Sequence, residues 1–480
     1  MNRRFLDTPW APAACFAVFL GLILFTIGRN AIWFDESYSL LLAGPNGFFD
    51  IAHRTAVDAH PPFWYWTLKP WLSIFGANIL ASRAEQALFM FAAVAVWYRF
   101  GVARLSRSIA LLGLALLVTN QFFLHYAVEG RMYGLATLFA GISCTLVSGR
   151  WRWRWYAYWP LAVAMLYTHY FLAFVIAGQF LYLLLARKAQ GIRVWWLVAY
   201  GVSILAAFAP WLHYAAHQTT TIVKNGFWVP PISPTQPLEY VTSVYLDLPA
   251  SRLVSWLVFP GLAFVVAVFT LAVRAMKLRG PAYALAWCVI GIPWLALFAL
   301  GCKPFVPVFH PRYVLFTFPA LCLMLAAGAL DLRLRLRVLL VGVVLVGQVA
   351  GIAKFEVVGT NWTSGHGTVP SLMRQVTPPI AGEVVPIIAP GWFQFFDAKA
   401  MLPDGTRVRA LRDPAPTYVS TDAIYYDKPD WWVRSLDDVH AKHVWLIEDA
   451  NNPETPLPKG WFELYKAKHG YARVRLIEHE

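Results

Sequence analysis

The chain has 480 residues, 59% of them hydrophobic and only 14% charged, with a formal net charge of +14. A soluble globular domain is nearer 45–50% apolar and about 25% charged, so most of this length is excluded from a water-soluble fold. The basic residues cluster in short loops between apolar runs, with no aromatic-interleaved basic domain, which argues against nucleic acid as a partner and makes them topology signals.

Apolar runs of roughly 17–22 residues recur along the chain, the pattern of a polytopic membrane protein. The first run, 11–29, follows Met1-Asn2-Arg3-Arg4 and is too long for a signal-peptide core; it reads as a retained anchor. Next comes a polar stretch, 31–76, holding Phe34-Asp35-Glu36-Ser37-Tyr38 and Asp58-Ala59-His60-Pro61-Pro62 and closing with an aromatic run, Phe63 to Phe75. Further spans are expected at 79–98, 108–124, 132–149, 156–168, 171–186, 194–213, 253–273, 281–300, 313–330 and 337–353. That makes about eleven, with the short fifth and sixth open to reading as a broken or re-entrant pair. Of the five cysteines, four lie in apolar runs and none forms a C-x-x-C pair, so they read as small core residues.

The loops sort by charge. One set carries Arg3 and Arg4; Arg99, Arg104 and Arg107; Arg150, Arg152 and Arg154; Arg187, Lys188 and Arg193; Arg274, Lys277 and Arg279; and Arg333, Arg335 and Arg337. The positive-inside rule makes this set, and the N-terminus, cytoplasmic. The other set faces outward: 31–76, His125 to Arg131, Thr168-His169-Tyr170, 214–252 and Lys303 to Arg312. An odd number of spans puts residues 354–480 outside too. There, short β-like runs (Val384–Ile388, His443–Glu448, Ala472–Ile477) and a helical stretch at 391–400 predict a small α/β domain. The expected fold class is an α-helical polytopic membrane protein (1–353) with a C-terminal extracytoplasmic α/β domain (354–480).

Nearly all the distinctive polar residues fall on the outward side, as an enzyme working at one interface would place them. Asp35-Glu36 is either a solvated acidic pair favoured by a helix dipole or a general base for a hydroxyl nucleophile. Asp58 and His60 lead into Pro61-Pro62, a helix start; the stretch is a turn, an anion site, or part of a metal site. His125 to Tyr133, with Glu129 and Arg131, reads as an interfacial aromatic belt, a buried ion pair, or an arginine on a phosphate. His169 is a packed histidine or a site residue. Lys303, His310 and Arg312 lie in a proline-stiffened loop that either anchors at the interface or clamps a phosphate leaving group.

Four stretches in order, "WFDESYS", "DAHPPFWYWTLKPWLSIFG", "HYAVEGRMYGLATLF" and "THYFLAFVIAGQ", with a fifth, "HPRYVLFTFPAL", give the chain its likeness. It resembles the membrane-embedded GT-C glycosyltransferases, in the branch of protein O-mannosyltransferases and lipid A aminoarabinose transferases. The resemblance implies a GT-C-like catalytic domain over 1–353, with its outer loop at 31–76. It implies a polyprenyl-phosphate-linked sugar as donor and a glycan, lipid or protein acceptor. Transfer would occur at the outer face of the cytoplasmic (inner) membrane, as in protein glycosylation or lipopolysaccharide modification. The family's loop acid falls on Asp35, with Glu36 beside it. The donor-phosphate residues fall on His60, Arg131, Lys303 and Arg312. Asp58, Glu129, Tyr133, His169, Tyr170 and His310 are further site candidates. A divalent metal is an open cofactor, with Asp58, His60 and His169 as candidate ligands. The chain departs from the aminoarabinose transferases at Ala59-His60, where those carry an acid-lysine pair. The rival readings are a membrane oligosaccharide polymerase or ligase, and a transporter of lipid-linked sugars. The latter would show midplane charges and repeat symmetry, which this sequence lacks.

Overall fold

The computed structural model describes residues 8–29, 32, 34–151, 153–225, 229, 232, 258–302, 307–358, 385–402, 408–411, 428–469 and 472–480. In chain order the helices begin with α1 (Trp10–Thr26), α2 (Phe34–Ala43), α3 (Phe48–Ala56), α4 (Phe63–Phe75) and α5 (Ile79–Arg104). They continue with α6 (Arg107–Val118), α7 (Gln121–Ala127), α8 (Tyr133–Ser148), α9 (Arg154–Thr168), α10 (Leu172–Gln190) and α11 (Val194–Asn225). After α12 (Val258–Met276) and α13 (Pro281–Gly301), a 3-10 turn, Pro311–Thr317, leads into α14 (Phe318–Leu330), then α15 (Leu334–Val358). The tail holds β1 (Ile387–Ala389), α16 (Trp392–Met401), β2 (Val408–Leu411), β3 (Trp432–Val433), β4 (His443–Asp449), β5 (Trp461–His469) and β6 (Ala472–His479). Two compact units result: Met1–Ile27 with Gln86–Val358, and Gly28–Glu85 with Gly359–Glu480.

Among the described residues of the first unit, the apolar stretches expected to span form helices, because a chain in lipid can satisfy its backbone only internally. Among the described residues six helices are long and apolar enough to cross a membrane, or seven if one bent pair counts as a span. The chain is thus a multi-pass membrane protein, and the expected eleven is not reached on length and composition. The broken span is also not the expected one. The third, 108–124, divides into α6 and α7, bent by 73°. Asn120 causes the break: its Oδ1 caps α7 by accepting from Phe123 N–H at 2.9 Å. Gln348 of α15 covers the exposed backbone, donating to the Leu116 carbonyl at 3.1 Å and accepting from Thr119 Oγ1 at 2.8 Å. Small residues let the helices approach. A Cβ on Gly178 would stand 2.5 Å from the Cys288 carbonyl oxygen, so α10 and α13 pack backbone to backbone only with glycine there.

In the second unit the described part of 31–76 holds three short helices: α2 and α3 stand where a loop was expected, and α4 covers the aromatic run. Pro61-Pro62 does start a helix, as read. Trp64 and Tyr65 are fully buried on α4, and Lys69 Nζ donates to the Gly44 carbonyl at 2.6 Å, tying α4 to the end of α2. The sheet order is β3-β2-β1-β4-β6-β5. β1 pairs parallel with β2 and β4, and β2 with β3, while β6 runs antiparallel to β4 and β5. Ile388, Val433, Leu446, Trp461 and Ile477 form its core. This is the expected α/β domain, and α16 packs against α2.

Candidate active site

In the first unit, the residues between α7 and α8, between α9 and α10, and before α14 gather around a chain of aromatic rings. Tyr126 lies 5.0 Å from Tyr133 between ring centres, Tyr133 6.1 Å from His169, and His169 6.0 Å from Tyr313. Arg131 and Arg312 are both buried here. Arg131 follows a tight turn closed by its N–H on the Glu129 carbonyl at 2.7 Å. His125 Nε2 sits 3.2 Å from Glu129 Oε2, one helical turn apart. Arg312 Nη2 donates to Tyr313 Oη at 3.3 Å, and its guanidinium lies 5.1 Å from that ring's centre.

Two histidines in this cluster share one device. His169 Nδ1 accepts from Phe171 N–H at 3.2 Å, and His310 Nδ1 accepts from Arg312 N–H at 3.3 Å. Each thus caps the segment that follows it, and an accepting Nδ1 puts the ring proton on Nε2. Burial, then Arg131 and Arg312, pulls His169 down to about 3. Burial and Arg312 hold His310 well below the usual imidazole range. Both are neutral at physiological pH and can offer Nε2–H as a donor. Among the described residues the buried charges here are two guanidinium groups against one carboxylate, Glu129, an environment that favours an anion.

In the second unit Asp35 and Glu36 open α2, in its first turn. Their roles divide. Glu36 is 1% exposed and takes both of its oxygens to Arg83, at 2.8 Å from Nε and 2.8 Å from Nη2. Asp35 is half-buried. Ser39 Oγ donates to the Asp35 carbonyl at 2.6 Å, inside the helix. Ser37 Oγ donates to Asp397 Oδ1 of α16 at 2.8 Å. At the turn into α4, His60 Nδ1 lies 3.9 Å from Asp58 Oδ2. Trp64 Nε1 donates to Glu85 Oε2 at 3.2 Å.

Burial pushes Asp397 up to about 7, with Glu36 adding to the rise and the Ser37 bond opposing it. A carboxyl whose pKa rises on folding favours the fold while protonated. That contribution is complete below about pH 4 and is lost as pH climbs through about 7. Asp397→Asn is therefore expected to remove a fall in melting temperature that wild type shows between these limits. The effect corresponds to roughly a few kcal/mol, read by thermal melts of both proteins in one detergent. Parallel curves for the two would refute it.

Asp58 and His60 alone do not make a divalent site. Among the described residues no group of three His, Cys, Asp or Glu side chains is placed to hold a metal, and His169 belongs to the other unit.

No family model and no curated protein matches the sequence. Solved structures do match. ArnT from Cupriavidus metallidurans bound to undecaprenyl phosphate superposes with a TM-score of 0.61, 13% identical over 98% of each chain. Its apo form gives 0.61 at 12% identity over 97% of each. ArnT is a GT-C aminoarabinose transferase. The chain has the GT-C fold. An Archaeoglobus fulgidus oligosaccharyltransferase in complex with zinc and sulfate aligns with 92% of this chain and 68% of its own, at 11% identity and a TM-score of 0.46, too distant to add weight.

Within this GT-C fold, Glu129, Arg131, Tyr133, His169, His310 and Arg312 come together, as do Asp58 and His60. Tyr170 turns elsewhere, accepting from Trp211 Nε1 at 2.8 Å and donating to Gln218 Oε1 at 2.6 Å. Lys303 lies outside the described residues. Sequence reasoning gave no role to Arg83 as the partner of Glu36, nor to Asp397. The signal for the latter was a lone acid in an aromatic-rich helix, Phe393-Gln394-Phe395-Phe396-Asp397.

Proposed function

We propose that this protein is an integral-membrane glycosyltransferase that moves a sugar from a polyprenyl-phosphate donor to an acceptor hydroxyl. The observation that carries the reading is the buried pair Arg131 and Arg312, flanked by two neutral histidines that can donate from Nε2. Such a set suits a phosphate monoester or diester, and the GT-C fold it sits in is shared with a transferase crystallised with undecaprenyl phosphate. Asp35 takes the proton of the acceptor hydroxyl. The oxygen attacks the anomeric carbon with inversion, the carbon–oxygen bond to phosphate breaks, and polyprenyl phosphate leaves with the negative charge. Arg131 and Arg312 stabilise that charge, with Lys303 and His60 as further contacts. Glu36, held by Arg83, fixes the loop and stays out of the proton transfer.

We assign catalysis to residues 1–353 and read 354–480 as an extracytoplasmic domain. The charge sorting of the loops supports an active face outside the cytoplasmic membrane and a cytoplasmic N-terminus. Mass spectrometry of lipids co-purifying with the protein tests the donor. The expected result is a polyprenyl phosphate, free or sugar-linked, depleted in an Arg131→Ala/Arg312→Ala double variant. A different bound solute and no such lipid would move the assignment to a transporter.

A further inference from the structure

We propose that Asp397 is a positioning residue for the transfer reaction: by accepting from Ser37 it fixes the rotation of α2 that presents Asp35. This rests on the reading of Asp35 as the base.

The argument is one of helix geometry. Successive side chains on a helix leave at about 100° intervals. The neighbours of Asp35 on α2 are each fastened. Phe34 lies against Phe393 and Phe396 of α16, with ring centres 4.7 and 5.3 Å away. Glu36 is clamped by the Arg83 fork. Ser37 is held by Asp397. These three directions surround the axis and leave Asp35 the remaining sector, so the helix can rotate, and carry Asp35 with it, only if one fastening gives.

The fastenings differ in kind. The ring contacts tolerate sliding, and the Arg83 fork reaches α2 from a residue 47 positions away along the chain. Ser37 to Asp397 bridges 360 positions and is wholly buried, with Asp397 only 4% exposed. A carboxyl in that environment costs desolvation free energy that an apolar contact would avoid. A buried hydrogen bond of fixed length between α2 and α16 is what the carboxyl supplies in return. The contact thereby makes the tail's helix part of the machinery that aims the base.

The test uses the full-length purified protein with two probes from its own host: the extracted polyprenyl-phosphate lipid fraction as donor and the remaining cell-envelope fraction as source of the acceptor hydroxyl. Turnover is read as polyprenyl phosphate released, with the lipid concentration varied. Asp397→Ala and Ser37→Ala should each lower kcat by on the order of 10- to 100-fold, the scale of a misplaced catalytic group, with KM for the lipid unchanged. Asp397→Asn keeps an acceptor for Ser37 and should restore kcat to within about threefold of wild type. In an Asp35→Asn background, Asp397→Ala should add almost nothing, because it acts through the residue already lost. Should Asp397→Ala not fold, Ser37→Ala removes the same bond with a smaller change. Unchanged kcat in folded Asp397→Ala or Ser37→Ala overturns the proposal, as does an undiminished effect in the Asp35→Asn background. Failure of the underlying reading looks different. It shows as normal release by Asp35→Asn with Asp397 intact, or as no release by wild type, and either result removes this proposal with it.

Discussion

Asp35→Asn is expected to lower kcat by about 100- to 10,000-fold, the usual contribution of a general base, while the protein inserts and folds as before. The substitution keeps shape and removes basicity. Asp35 opens α2 in a half-buried position, and an amide of the same shape fits the space its carboxylate takes. The neighbouring acid is the control. Glu36→Gln breaks a buried bidentate pair and leaves Arg83 with a neutral partner, so it should lower stability by about 3–5 kcal/mol before it affects chemistry. The two variants thus separate base from brace. Kinetics of lipid release, with thermal melts alongside, measure both. An Asp35→Asn enzyme working at near wild-type rate would sink the assignment.

The second large effect is expected at the arginines. Arg131→Ala and Arg312→Ala should each cost about 100- to 1,000-fold in kcat, the loss seen when one donor to a developing anion is removed. KM for the lipid should rise as well, because the phosphate is charged before it leaves. Lysine at either position should recover only part of the loss, since it offers a point charge in place of a planar fork. The double variant should fall short of the product of the single effects, because both act on one group. A variant that folds, binds the lipid with unchanged KM and turns it over normally would remove that arginine from the mechanism.

Much of this was readable before the structure. Spans were legible because lipid leaves the backbone few options. Even the break in the third span had its sign in Asn120, a good capping residue in an apolar run, although the run's length concealed it. That Glu129, Arg131, His169, His310 and Arg312 lie near one another was legible because all flank helix ends on the side the outer motifs share. The helices α2 and α3 were not legible. They owe their helicity to tertiary packing, and Phe34-Asp35-Glu36 has no long apolar period to announce it. Of the sheet, β1 in part, β4 and β6 were visible as apolar runs. β3, at two residues, and β5, which alternates against only one neighbour, were not. Asp397 stood out only as a lone acid in an aromatic-rich helix, and its role could not be read. Its meaning lies in a bond to a residue 360 positions away, and local pattern carries no information at that distance.

The capped histidines carry a physiological consequence. On the proposed topology the transferring face meets an exterior whose acidity the cell does not buffer. Histidine beside a phosphate would ordinarily gain charge in mild acid and grip its ligand harder, slowing release. Here the caps, the burial and the neighbouring arginines keep His169 neutral down to about 3 and His310 well below the ordinary range. On the proposed reading the grip on the lipid phosphate is thereby set by arginine, whose charge does not vary with environmental pH. On that reading, acidification leaves the charge that these two histidines present to the lipid phosphate unchanged, where a histidine-gated site would tighten.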